Sequence, residues 1–198
     1  MSSSAATSGG GGDNNSNANA DQTSNRVYIK SDEDGWVPAK LISHDADGAT
    51  ATVSVWSYAD QNQIQSDGDN KASESHEVTV DLSAYAGRVL PLQNVGEDGT
   101  LREVADMVDL PFLHEAAILY NLKARHVAST PYTRTGDIVI AVNPYQWIEG
   151  LYSEERMGHY ADRLVWDVPS GDVDAKSLVE PHVYETSSLA YHDMCVHG

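Results

Sequence analysis

Three side chains in this sequence stand where a ligand could be held: Asn143, Pro144 and Tyr145, in one run. They follow Ile138-Val139-Ile140-Ala141-Val142, an unbroken apolar run rich in β-branched residues. Gly136-Asp137 punctuates its start and Asn143-Pro144 stops it. Such a run predicts a strand buried on both faces, of the kind found inside mostly parallel sheets. Proline has no N–H for a central ladder, so the strand ends near Val142. Ligands of open α/β sheets bind beyond the carboxyl ends of strands. An amide there can both donate and accept, and a tyrosine ring can pack on a flat partner. The same residues also fit a plainer reading, a strand-terminating turn with core aromatics.

Other candidate chemistry is weaker. His114-Glu115 opens like a zinc H-E-x-x-H motif, but the fifth residue is Ile118, so His114 reads as an ordinary helix residue. Asp45-x-Asp47-Gly48 resembles a calcium loop without its remaining ligands or closing glutamate; a turn is expected. His192, Cys195 and His197 are three ligand types at a chain end, short of the set a structural zinc site requires. Gly9 to Gly12 has no preceding strand and no Lys-Ser/Thr after it. No G-x-x-x-x-G-K-[ST] occurs anywhere, and no lysine follows a glycine. Neither a catalytic triad nor a paired general acid and base is supported, and catalytic and metal residues are expected to be absent.

The elements that must position the candidate loop follow from composition and periodicity. Residues 1–25 lack large apolar side chains after Met1 and read as a disordered leader. Residues 26–95 read as all-β. Strands are expected at Val27-Tyr28-Ile29, at Trp36 to Ile42 and over the alternating stretch Thr50 to Tyr58. Two more are expected at Glu77 to Leu82 and Val89 to Leu92. Turns fall at Asp32 to Gly35 and His44 to Gly48, and Asp60 to Ser75 reads as a long hairpin insertion. Five short strands with tight turns predict a small SH3-like barrel, with Trp36 and Trp56 in its core or lining a peptide groove.

After the loop Gly96 to Gly99, one helical turn is expected over Arg102 to Met107. A helix is expected over residues 111–127, with Pro111 in its first turn. Its buried face would carry Leu113, Ala117 and Tyr120, widened by Ile118, Leu119 and Leu122. Ser153 to Arg163 reads as a helix capped by Ser153, with Glu154 and Glu155 in its first turn. Asp167 to Lys176 reads as polar loop. A last helix runs over residues 181–195, with Pro181 first and Val183, Ser187, Ala190 and Met194 in one stripe.

The 198 residues carry a formal charge of −18 and a pI near 4.5. The acids are dispersed, which argues against nucleic acid or anionic lipid as a partner, since both need clustered Lys and Arg. One cysteine excludes an intrachain disulfide and fits a reducing cytoplasm. No apolar run approaches the ~20 residues of a membrane helix, and no secretory signal follows Met1.

Several of these stretches occur together in one known family. Tyr132-Thr133-Arg134-Thr135-Gly136, the apolar strand, then Ala141-Val142-Asn143-Pro144-Tyr145 resembles the start of the myosin motor domain. Met107, Leu113-His114-Glu115, Leu119, Asn121-Leu122 and Arg125 fit the same pattern, so Asp106 to Tyr145 carries it in order. Pro181-His182-Val183-Tyr184, with Ala190-Tyr191 and Met194, resembles the motor helix that leads toward the phosphate-binding strand. Gly35 to Ala39 and Leu90 to Asn94 resemble the SH3-like module that precedes many myosin motors. Ile148 and Tyr152 fit the loop, but Glu149 stands where proline is usual, and the loop is long, as in plant and some protist myosins.

The resemblance implies an α+β fragment. A disordered leader (1–25) and an SH3-like barrel (26–95) would precede the first helices and a buried strand of an α/β P-loop-type motor domain (96–198), cut off before its P-loop. It implies ATP as ligand, with Asn143, Pro144, Tyr145 and Tyr152 at the adenine and magnesium in the full-length motor. It also implies actin filaments as partner and a cytoplasmic, cytoskeletal location. An Asn amide suits a purine edge and a Tyr ring its face. The chain alone is expected to bind no cofactor and to lack ATPase activity, because the phosphate loop is missing. Two alternatives stay open: a non-enzymatic SH3-like interaction protein with a vestigial motor segment, and an incomplete gene model.

Overall fold

A computed structural model describes residues 25–56, 75–96, 99–166 and 175–197. The expected leader apart from Asn25, most of the hairpin insertion and most of the 167–176 loop lie outside the described residues. The chain is mixed α and β and divides into two compact units. One is Met1–Ile29 with Pro38–Gln93, the other Lys30–Val37 with Asn94–Gly198.

A four-stranded sheet, most of whose residues belong to the first unit, has the order β1-β2-β3-β4: β1 Arg26–Ser31, β2 Gly35–His44, β3 Thr50–Trp56 and β4 Ser75–Asp81. β3 pairs antiparallel with both β2 and β4. Side chains alternate across a strand, so Ala51, Val53 and Val55 are buried while Thr52 and Ser54 are half-buried. Leu41 faces Val53 but Ser43 faces Thr52, which leaves Ile42 as an extra, exposed residue in a bulge. In the turn after β2, the carboxylates of Asp45 and Asp47 accept from the N–H groups of Ala46 and Ala49. Both are thus committed to the turn.

The expected fifth strand at Val89 to Leu92 is reduced to one antiparallel bridge, Val27 to Leu92. Tyr28 N donates to Pro91 O and Gln93 N to Arg26 O. Pro91 itself has no N–H to extend the ladder. Gln93, buried, donates from Nε2 to the carbonyls of Val27 and Ala39, holding β1 and β2 together. Trp36 is half-buried with Lys30 Nζ 5.6 Å from its ring, and the Trp56 side chain lies outside the described residues.

In the second unit the helical turn expected at Arg102 to Met107 forms instead at Met107–Asp109, where the Asp106 carboxylate caps Val108 N. Helix α1 spans Glu115–Val127 and starts later than Pro111. The Asn94 amide donates to Phe112 O and accepts from Phe112 N, which holds that residue outside the helix. His114 is the N-cap, its Nδ1 accepting from Ala117 N, and not a helix-interior residue. The buried face of α1 also departs from the apolar pattern. Leu113 and Leu119 are exposed, whereas Ala116, Ala117, Asn121 and Arg125 are buried. Asn121 pairs with the N–H and C=O of Val104, and Arg125 donates to Tyr132 O and Thr133 Oγ1. Polar side chains can face inward here because the backbone of neighbouring segments satisfies them.

Strands β5 Tyr132–Thr135 and β6 Ile138–Ala141 form an antiparallel hairpin closed by Gly136-Asp137, with Gly136 at φ 59°. The expected burial of β6 on both faces is not found. Ile138 is 65% exposed, Ala141 is exposed, and Val139, Ile140 and Val142 are half-buried. Among the described residues β6 pairs only with β5, so its other edge is paired with no strand. Ile140 packs with Met107, Leu110 and Ala117.

Helix α2, Glu154–Ala161, is capped by Ser153 Oγ, which accepts from Arg156 N, and runs on into a π-helical turn at Asp162–Trp166. Such a cap contributes about 1 kcal/mol. Helix α3, Val183–His197, begins two residues after Pro181. The stripe Val183, Ser187, Ala190 and Met194 is exposed. Glu185 is buried instead, because it pairs with Arg134 of β5. Tyr160, Leu164 and Val179 form the local core, with Tyr184 and Leu189 against it.

Candidate functional site

The segment after β6 stays tied to the hairpin by Val142 N donating to Pro131 O at 2.9 Å. Asn143 then turns the chain. Its Oδ1 accepts from Tyr145 N at 2.9 Å, and Tyr145 adopts φ 50°. This side-chain turn fixes the amide, leaving both Nδ2 hydrogens and one Oδ1 lone pair available. Asn143 is exposed, Pro144 half-buried, and Tyr145 92% and Trp147 89% exposed. Glu149, where the family pattern has proline, is also exposed.

Tyr152 is held differently. Its hydroxyl lies 2.8 Å from that of Tyr132 on β5, and its carbonyl accepts from Tyr184 Oη at 3.2 Å. Asn143, Pro144 and Tyr145 therefore form one turn, while the contacts of Tyr152 run to β5 and α3.

At the centre of this second group sits His182, 1% exposed. The rings of Tyr132 and Tyr184 have centroids 4.6 Å from it, Tyr160 5.3 Å and Tyr152 5.8 Å. His182 Nδ1 accepts from Tyr184 N at 3.1 Å, so a neutral ring carries its proton on Nε2. That Nε2 is buried, and among the described residues no group meets it at full hydrogen-bond geometry. Burial first, and the charge of Arg156 second, hold the His182 pKa below its ordinary value; the Leu151 backbone opposes them in part. Burial, then the Tyr152 hydroxyl, pushes the Tyr132 phenol well above the usual tyrosine range. Burial also raises Tyr160. Burial thus favours the neutral forms of Tyr132, Tyr160 and His182. Among the described residues no His, Cys, Asp and Glu side chains are grouped to hold a metal ion.

Reasoning from sequence alone did not assign roles to Tyr132, His182 and Tyr184. Their motifs, Tyr132-Thr133 and Pro181-His182-Val183-Tyr184, were visible, but nothing in linear spacing places them beside Tyr152. The Arg134–Glu185 pair was equally hidden.

Comparison with known proteins bears on the same residues. The family model for the myosin head (motor domain) matches residues 104–198. Myosin-7 of Arabidopsis thaliana is 34% identical over 156 residues, 76% of this chain and 8% of that protein. Myosin-15 of the same plant is 40% identical over 91 residues, 46% of this chain and 5% of that protein. The myosin-H heavy chain of Dictyostelium discoideum is 29% identical over 170 residues, 85% of this chain and 7% of that protein. The chain thus spans less than a tenth of the length of these curated relatives. Both the strand-end turn and the aromatic group around His182 fall inside the matched segment. Through residues 104–198, the chain belongs to the myosin head (motor domain) family.

Proposed function

We propose that this chain is the amino-terminal part of an ATP-driven, actin-based motor, and that residues 143–152 are its adenine loop. The observation that carries the reading is the Asn143 turn. An amide fixed by Tyr145 N presents its Nδ2 donors at a strand end, within the segment that matches the myosin head. Asn143 would read the edge of the base, and Pro144, Tyr145 and Tyr152 would offer apolar and ring surface to it. Triphosphate and magnesium would be held by a phosphate loop, a motif these 198 residues do not contain. Actin would be the filament partner, in the cytoplasm and on the cytoskeleton. The four-stranded sheet, with residues 91–93 bonded along β1, supports an SH3-like module ahead of the motor. Among the described residues no helix is long and apolar enough to cross a membrane.

The test is steady-state, actin-activated ATP hydrolysis by the full-length protein that carries this chain. Contacts to the base bind ground state and transition state about equally, so their loss weakens binding more than turnover. Asn143→Ala should raise KM for ATP with kcat changed much less, and narrow the preference for ATP over GTP. Abolished turnover at unchanged nucleotide affinity would make the adenine-loop assignment wrong.

A further inference from the structure

Tyr152 differs from the other three loop residues in being fixed from two sides. Its hydroxyl meets the Tyr132 hydroxyl at 2.8 Å, and its carbonyl accepts from the Tyr184 hydroxyl at 3.2 Å. Tyr132 comes from β5 and Tyr184 from α3, so elements distant in sequence converge on one loop residue. Both tyrosines pack on His182, which is itself immobilised by the Tyr184 N–H on Nδ1. Yet Tyr152 remains 56% exposed. With its hydroxyl turned to Tyr132, what Tyr152 offers outward is ring surface.

We propose that Tyr132 and Tyr184 are positioning residues for the nucleotide site: they clamp Tyr152 around His182, so that its ring, and not its hydroxyl, meets the base. The inference rests on the adenine-loop reading given above. It follows that Tyr152 supplies affinity without distinguishing adenine from guanine, since a ring surface packs on either. Discrimination falls to Asn143. Holding the ring in place before binding lowers the ordering cost of association, which is where a positioning residue acts.

The test compares Tyr132→Phe and Tyr184→Phe with Asn143→Ala and Tyr152→Ala in the full-length protein, reading KM and kcat for ATP and GTP and the thermal midpoint. Each phenylalanine keeps its ring and loses one hydroxyl. Each should raise KM about two- to tenfold, the range of a single net hydrogen bond. The rise should be equal for ATP and GTP, with kcat and midpoint nearly unchanged. Tyr132→Phe should add nothing further in a Tyr152→Phe background, because the two hydroxyls serve one bond. If Asn143→Ala and Tyr152→Ala raise KM while both phenylalanine variants leave it unchanged, the clamp is overturned and the adenine loop stands. A raised KM matched by a large fall in midpoint would reduce Tyr132 and Tyr184 to packing residues and also overturn it. If all four variants leave KM unchanged, the clamp and the adenine loop fall together.

Discussion

Arg134 and Glu185, 51 residues apart in sequence, form a two-pronged buried ion pair: Nε to Oε1 is 3.0 Å and Nη2 to Oε2 is 2.8 Å. Their side chains are 7% and 2% exposed, and Nη2 also donates to Val179 O. The pair joins β5 to α3, the two elements that also supply Tyr132 and Tyr184. Removing one partner of a buried pair strands the other charge, whereas replacing both with apolar groups is close to neutral. Glu185→Ala should therefore destabilise the protein by about 3–5 kcal/mol in urea denaturation, and the double change Arg134→Met, Glu185→Leu by much less. A single-variant loss under about 1 kcal/mol would place the pair in water, as exposed pairs are.

His182 sets a pH dependence whose sign follows from its lowered pKa. Below the ordinary value of 6.5 the unfolded imidazole gains a proton that the folded one refuses. Its contribution to stability is therefore complete above that value and lost as pH falls through the folded pKa. Arg156 on α2 adds to the effect, and Tyr132 and Tyr160, both raised by burial, stay neutral across this window. The thermal midpoint should fall between about pH 7 and about pH 5, and His182→Gln should flatten part of that fall. Identical slopes in the two proteins would show that His182 titrates normally.

Asn143→Asp separates the turn from ligand recognition. The carboxylate can still accept from Tyr145 N–H, so the turn and the thermal midpoint should be retained. Both Nδ2 donors are gone, and a negative charge faces an anionic ligand. Affinity for a fluorescent ATP analogue should fall at least as far as in Asn143→Ala. Wild-type affinity in the aspartate variant would exclude Nδ2 as a donor to the base.

The protein made of these 198 residues alone should release no phosphate from ATP. Catalysis of phosphoryl transfer is nearly all positioning and electrostatics at the phosphates, and the sequence contains no phosphate loop to provide either. Release above a buffer blank, abolished by Asn143→Ala, would contradict this.

The sequence alone determined what depends on neighbours along the chain. Period-two alternation located β3, Gly136-Asp137 located the start of β6, and Ser153 followed by Glu154 and Glu155 located the start of α2. A cap or a turn is satisfied within a few residues, so its signal is local. Family membership was legible for the same reason, because its motifs are contiguous runs. What the tertiary structure decided is which faces turn inward. Apolar spacing put Leu113 and Leu119 on the buried face expected of α1, and Val183 and Met194 in one stripe of α3, yet all four are exposed. Asn121, Arg125 and Glu185 are buried in their place, because backbone groups and an opposite charge from distant segments satisfy them. A polar residue reads as solvent-facing until its partner is known, and those partners lie 17, 7 and 51 residues away. The site divides along the same line. The Asn143 turn is a contact across two residues, and the sequence announces it. The setting of Tyr152 requires β5, α2 and α3 to meet around His182, and only the folded chain brings them there.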